Sequence, residues 1–172
     1  MPKIKIADTE SDGFVEEATT LWCIAGKEYE DESEDATLFG PTDIDAGLSW
    51  LWDCDVLVGH NFIGHDLPLL KKLYDWEPRS HQTVIDTLVF SRMLYPKRPI
   101  PDGYTGKATH SIEAWGYRVG RGKPEHEDWS KYTKAMGVRC KEDAVINRLV
   151  LLELEREAEE QEMYYHKARN MA

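Results

Sequence analysis

From Lys3 to Ala7 polar and apolar residues alternate, which predicts a first strand, KIKIAD, with one face in a core. Leu21–Tyr29 (LWCIAGKEY) and Ala36–Phe39 predict a second and a third strand, joined by the acidic turn Glu30–Asp35. Pro41–Asp43 opens a helix that carries Ile44, Leu48, Leu51 and Trp52 on one face. Asp55 ends it. Val56–Gly59 is apolar without interruption, the mark of a short strand in the middle of a sheet. Asp66 begins a second helix, DLPLLKKLYDW, with Pro68 in the first turn, where its missing N–H costs nothing. Val84–Leu88 reads as a strand end leading into a helix that lasts to Tyr95. Pro96–Gly106 is a loop. Ser111 caps the helix SIEAWGYR, which stops near Gly116–Gly120, and Gly120–Glu127 is a further loop. A long helix is expected from Val138 to Gln161, with Val145, Leu149 and Leu152 at i, i+4 and i+7. Three leading strands followed by alternating helices and strands predict an α/β fold, a mixed sheet flanked by helices. No repeat or linker divides the chain, so one domain over residues 1–172 is expected.

The 172 residues suit one compact domain and are too few for a polymerase or a helicase. Six Trp and 41% hydrophobic residues exclude a disordered acidic tail. No apolar run reaches the roughly 18 residues of a membrane helix, and the N-terminus lacks a signal-peptide core. The three cysteines, Cys23, Cys54 and Cys140, have no metal-binding spacing and fit a reduced intracellular protein.

The net charge of −11 is unevenly spread. Residues 1–60 carry 3 basic and 15 acidic residues, whereas residues 92–123 carry 7 basic and 2 acidic ones. The overall acidity argues against a protein that coats DNA non-specifically. The local basic stretch is compatible with holding a phosphate chain, and equally with a solvated basic loop.

Three segments carry candidate chemistry. In Ile6-Ala7-Asp8-Thr9-Glu10 the two acids are two residues apart on a strand, so they project from the same face. Adjacent carboxylates repel unless a cation lies between them. The plainer alternative is a pair of exposed acids at a strand end. In VLVGHNFIGHDLPLL a buried strand ends at Gly59, His60 and Asn61 follow, and Asp66 starts a helix. Ligands of α/β sheets collect beyond strand C-termini. Asp66 also suits a helix N-cap, and the two roles are compatible. His60 and His65 lack the further ligands a zinc site needs. In MGVRCKEDAVINRLVLL, Asp143 shares a strip with Ile146 and Val150, where an acid is costly without a partner. Its alternative reading is a charge near a helix N-terminus, favoured by the macrodipole. Other catalytic plans are missing. Gly116–Lys123 approaches a phosphate-binding loop, but its spacing is wrong and Pro124 stands where Ser or Thr is needed.

Together these segments resemble the DEDD (DnaQ-like) 3′–5′ exonuclease superfamily. Asp8 and Glu10 match its first motif, Asn61 and Asp66 its second, and Asp143 the Asp that ends its third. The stretches HNFIGHDLPLL, IDTLVFSRML and HSIEAWGYRVG are more specific. They are similar to the proofreading domain of T-seven-like phage family A DNA polymerases, over about residues 4–155. The resemblance implies a ribonuclease-H-like mixed five-stranded sheet flanked by helices. It implies two divalent ions, Mg²⁺ or Mn²⁺, held by Asp8, Glu10, Asp66 and Asp143. The expected reaction is release of nucleoside monophosphates from DNA 3′ ends, single strands preferred. RNA is the alternative substrate, and a weakly catalytic nucleic-acid-binding or polymerase-associated subunit is the alternative role. Thr9, Asn61, His65 and Arg92 are the candidate substrate contacts, with Lys97 and Arg98 touching the strand further back. A DNA polymerase is a candidate partner. The expected compartment is the cytoplasm, that of the host for a phage-encoded chain. No polymerase-sized segment follows, so the expectation is a stand-alone exonuclease or an excised domain. At one position the chain departs from the pattern. Relatives in this branch carry Tyr four residues before the last Asp, and a sister branch carries His five before it; Arg139 and Val138 stand there here. Arg139 is therefore placed with the catalytic set. It can bond a water or a phosphate, but it stays protonated and cannot act as a base.

Overall fold

The computed structural model describes residues 1–122 and 127–170, and of 163–170 it gives the helical backbone. The elements are β1 (Ile4–Ser11), β2 (Leu21–Glu28), β3 (Thr37–Phe39), α1 (Ile44–Trp52), β4 (Val56–Gly59), α2 (Asp66–Tyr74), β5 (Thr83–Asp86), α3 (Thr87–Leu94), α4 (Ile112–Arg118) and α5 (Lys134–Asn170). They form a mixed five-stranded sheet in the order β3-β2-β1-β4-β5. β1, β2 and β3 pair antiparallel, whereas β4 joins β1, and β5 joins β4, in parallel. The strands of the hairpin side need only short turns; the parallel side needs helical crossovers, which α1 and α2 supply.

β1 is the middle strand and is covered on both faces. Its odd residues meet one layer: Ala7 packs with Leu48, Leu51, Leu69 and Leu70 of α1 and α2. Its even residues meet the other: Ile6 packs with Val58 and Leu151, the latter on α5. Along β2 the same alternation sends Ile24 to the first layer and Cys23 and Ala25 to Cys140 and Ala144 of α5. α3 and α4 close the far side of α5 through Phe90, Leu94, Trp115, Ile146, Val150 and Leu154.

The long helix differs from its expected bounds. It begins at Lys134, because Gly137, a residue that weakens helices, is used for packing: a Cβ there would lie 2.7 Å from Leu38 and 2.8 Å from the Tyr132 hydroxyl. Its buried strip also differs. Leu149 and Leu152 are half-buried, whereas residues 143–148 are buried all round, since the sheet presses on one side and α3 and α4 on the other. Of the expected loop Gly120–Glu127, and of the basic stretch ending at Lys123, residues 123–126 lie outside the described residues.

Arg98, expected to touch a nucleic-acid strand, is instead buried. Its guanidinium donates to both carboxylate oxygens of Glu157 on α5 at 2.7 Å, and it lies over the Trp115 ring at 4.5 Å. The pair ties the Pro96–Gly106 loop to α5. The three cysteines are free and buried. Among the described residues no helix is long and apolar enough to cross a membrane.

Removing one partner of a buried ion pair leaves the other charge uncompensated. Glu157→Ala should therefore destabilise the fold by about 3 kcal/mol, read as a lowered urea midpoint with an unchanged m-value. A change within 0.5 kcal/mol, about the size of an exposed surface substitution, would show that the pair is solvated.

Candidate active site

The end of β1 delivers the first two acids. Asp8 and Glu10 share the face of β1 that looks at α5. There Asp143 meets them: ligand oxygens of Asp8, Glu10 and Asp143 all lie within 4.8 Å of one another. Asp143 is buried, and it sits about two and a half turns into α5 rather than near its start. The macrodipole at a helix N-terminus therefore does not account for it. Behind the cluster, Cys140 donates its thiol to the Asp8 carbonyl at 3.5 Å. Burial and the neighbouring Cys23 push that thiol well above its ordinary range, so it stays protonated.

Thr9 lies between the two acids and points the other way, toward α2. Its hydroxyl donates to Asp66 Oδ1 at 2.6 Å. Asp66 is thus the first residue of α2 but not its cap; His65 occupies that position, without a side-chain capping bond. Asp66 does not belong to the group of three. Burial raises its pKa to about 7, against the lowering effect of the Thr9 hydrogen bond.

A turn between β4 and α2 places Asp66, and Asp86 at the end of β5 holds that turn. The Asp86 carboxylate accepts from the backbone N–H groups of Asn61 at 3.0 Å and Ile63 at 3.1 Å. It also caps α3 by accepting from Leu88 at 2.9 Å. Asn61 adopts a left-handed φ of 57°, which Asn tolerates better than most residues. Gly59 is required for close packing, since a Cβ would lie 2.1 Å from the Phe62 ring. Beside this turn, His60 Nδ1 lies 2.9 Å from Thr87 Oγ1, and Thr87 donates to Asn147 Oδ1 at 2.6 Å, one turn beyond Asp143 on α5.

One cavity adjoins the carboxylates at Glu10, and another lies beside the turn that follows β4. The first, of about 290 Å³, is lined by Glu10, Ser11, Asp12, Gly13, Phe14 and Trp129. The second, of about 550 Å³, is lined by residues that include His60, Asn61, Arg92, Lys107 and His110. Arg139 reaches toward Glu10, with Nε 3.5 Å from Oε1, and its guanidinium lies 5.3 Å from the centre of the Trp129 ring.

The sequence-predicted residues are thus distributed as follows. Asp8, Glu10, Asp143 and Arg139 come together. Thr9, whose backbone is the expected contact of the terminal nucleotide, has its hydroxyl bound to Asp66. Asn61 and Arg92 are exposed walls of the larger cavity, and His65 is half-buried with its ring edge-on to Phe14 at 6.4 Å. Asp86, Thr87, Asn147, Phe14 and Trp129 were not foreseen. Asp86 had a local signal, an Asp between a strand and a helix. Trp129 had none, because its backbone is fixed by a hydrogen bond from the distant Trp22 indole at 2.9 Å.

Known nucleases share the fold that carries these residues. No protein-family model matches the chain. The DNA-directed DNA polymerase of Escherichia phage T7 is 31% identical in an alignment of 144 positions, gaps included, that covers 72% of this chain and 20% of the polymerase. Among solved structures, Brucella melitensis NrnC with bound Mg²⁺ superposes with a TM-score of 0.66 at 17% identity, over 92% of this chain and 74% of that one. Escherichia coli RNase D, an exoribonuclease involved in structured RNA processing, gives 0.62 at 15% identity, over 91% of this chain and 40% of that one. The chain has the DEDD exonuclease fold. It spans one fifth of the length of the phage polymerase that it matches.

The raised pKa of Asp66 has a consequence for stability. The folded state holds a proton on Asp66 up to about pH 7, whereas the unfolded chain releases it near its ordinary value of 3.8. Between these values the native state binds more protons, so its stability falls as pH rises. In EDTA the unfolding midpoint should drop between pH 4 and pH 7, and Asp66→Asn should flatten that slope. An identical slope in Asp66→Asn would assign the titration elsewhere.

Proposed function

We propose that the chain is a divalent-metal-dependent 3′–5′ exonuclease that releases nucleoside monophosphates from DNA 3′ ends, single strands preferred. The observation that carries this reading is the convergence of Asp8, Glu10 and Asp143 at the end of the central strand. Three carboxylates offer only oxygen donors, which suit Mg²⁺ or Mn²⁺ better than Zn²⁺. Asp8, Glu10 and Asp143 would hold one ion, and Asp8 a second, with Asp66 joining it directly or through water. Bound there, the ions supply the positive charge that acidifies the attacking water and offsets the charge of the leaving 3′ oxygen. Thr9 orients Asp66, and Asp86 fixes the turn that carries it. The smaller cavity, with Phe14 and Trp129 in its walls, suits the terminal base. Arg92 and Lys107 in the larger cavity suit the phosphates of the preceding strand.

DNA is favoured over RNA because the 31% identity is to a DNA polymerase. The likeness to RNase D makes RNA the specific alternative to test. A polymerase is the proposed partner on the same ground as DNA.

Matched DNA and RNA oligonucleotides, labelled at the 5′ end, test this directly. With Mg²⁺ or Mn²⁺ the DNA strand should shorten stepwise from its 3′ end, and EDTA should stop it. Asp8→Ala, Glu10→Ala, Asp66→Ala and Asp143→Ala should each lower the rate at least about a hundredfold, with double variants no worse than single ones. Saturating Mn²⁺ should also raise the thermal midpoint of the parent but not of Asp8→Ala. Undiminished degradation by any one variant would remove that residue from the site, and an unchanged midpoint in the parent would remove the metal.

A further inference from the structure

Arg139 makes two contacts that bear on the candidate site. It lies 3.5 Å from Glu10, one of the three converging carboxylates, and its guanidinium rests near the ring of Trp129. Glu10 and Trp129 are both walls of the 290 Å³ cavity. A nucleotide whose base entered this cavity would lie beside Glu10 and Trp129, the two groups that Arg139 contacts. Asp8, Glu10 and Asp143 bring three negative charges to one place, and Arg139 returns one positive charge. Glu10 therefore faces two suitors, a divalent cation and the guanidinium. Whatever Glu10 gives to one it withholds from the other, because both draw on the same half-buried carboxylate.

We propose that Arg139 links cation binding to nucleotide binding. It competes with the divalent ion for Glu10, and once the ion holds Glu10 it turns its N–H groups to the phosphate of the terminal nucleotide. The proposal rests on the exonuclease reading and assigns one of its substrate contacts. A cation 3.5 Å from a metal ligand opposes the approach of a second cation. A guanidinium displaced from a carboxylate, but still held near an aromatic face, keeps donors in the fork geometry that phosphates accept. An ammonium keeps the charge without the fork. With an ion bound, Arg139 would be a further cationic centre beside the carboxylates.

Arg139→Gln removes the charge at similar size, and Arg139→Lys keeps it. Mn²⁺ affinity is read from the electron paramagnetic resonance of the free ion, and nucleotide affinity by calorimetry with thymidine 5′-monophosphate at saturating Mn²⁺. Neither measurement depends on turnover. Arg139→Gln should bind Mn²⁺ about tenfold more tightly than the parent. It should bind the monophosphate about ten- to a hundredfold more weakly. Arg139→Lys should leave Mn²⁺ binding near the parent value and recover part of the nucleotide affinity. Unchanged or weaker Mn²⁺ binding by Arg139→Gln would overturn the competition. Tighter Mn²⁺ binding with unchanged nucleotide affinity would overturn the phosphate role. Unfolding of Arg139→Gln would leave Arg139→Lys to decide: nucleotide affinity equal to the parent overturns the fork contact, and partial loss supports it. A parent protein that binds no Mn²⁺ would overturn the metal-dependent reading itself, an outcome distinct from these.

Discussion

The structure depends on β1 being sandwiched between two layers of helices. A strand buried on both faces must send alternate side chains to different neighbours. In β1 this sends Ile6, Asp8 and Glu10 toward α5 and Ala7 and Thr9 toward α1 and α2. The same alternation that builds the core thus sorts the chemistry. Two carboxylates face the helix that brings a third, and the hydroxyl between them serves the acid on the opposite layer. A slip of one residue in the β1–β2 register would exchange the two sets and place both acids against Leu69 and Leu70. Six consecutive pairs, from Lys5–Glu28 to Glu10–Cys23, hold one register, and it shifts only beyond Glu10, where Ser11 pairs with Leu21.

The remaining machinery consists of devices that fix backbone rather than contact a substrate. Asp86 gives its two oxygens to N–H groups of a turn and of a helix start, a use of charge that stiffens the approach to Asp66. Thr87 and Asn147 continue this bracing from β4 across to α5. The Arg98–Glu157 pair does the same for the loop that precedes α4. Each brace ties a turn, a loop or a helix start to β5 or to α5.

Much of this was legible in the residues. The strands, the helix start at Ser111 and the pairing of Asp8 with Glu10 follow from period and capping; α2 does begin at Asp66, but without the capping bond that an Asp there suggests. The resemblance of short motifs added Asp143, which no local pattern distinguishes from other helix acids. What stayed hidden depends on distant contacts. Arg98 looked like a free cation in a basic stretch, but its partner lies on a helix 59 residues away. The buried strip of α5 was displaced because two layers, not one, pack against it, and a single period cannot report a second neighbour. Trp129 entered the site through a backbone hydrogen bond to Trp22, 107 residues earlier.

The span of the closing contacts also orders events in time. Asp8, Glu10 and Asp66 lie in the first half of the chain, but the thiol that rests on the Asp8 carbonyl comes 132 residues after it, three residues before Asp143. Contacts of such separation form late, since closing the longer loop costs more entropy. Chains emerge from synthesis N-terminus first. A partly made chain therefore carries the first acids without the last, and the cluster closes only when α5 docks on the sheet. A product that stops before Asp143 thus lacks the assembled carboxylates.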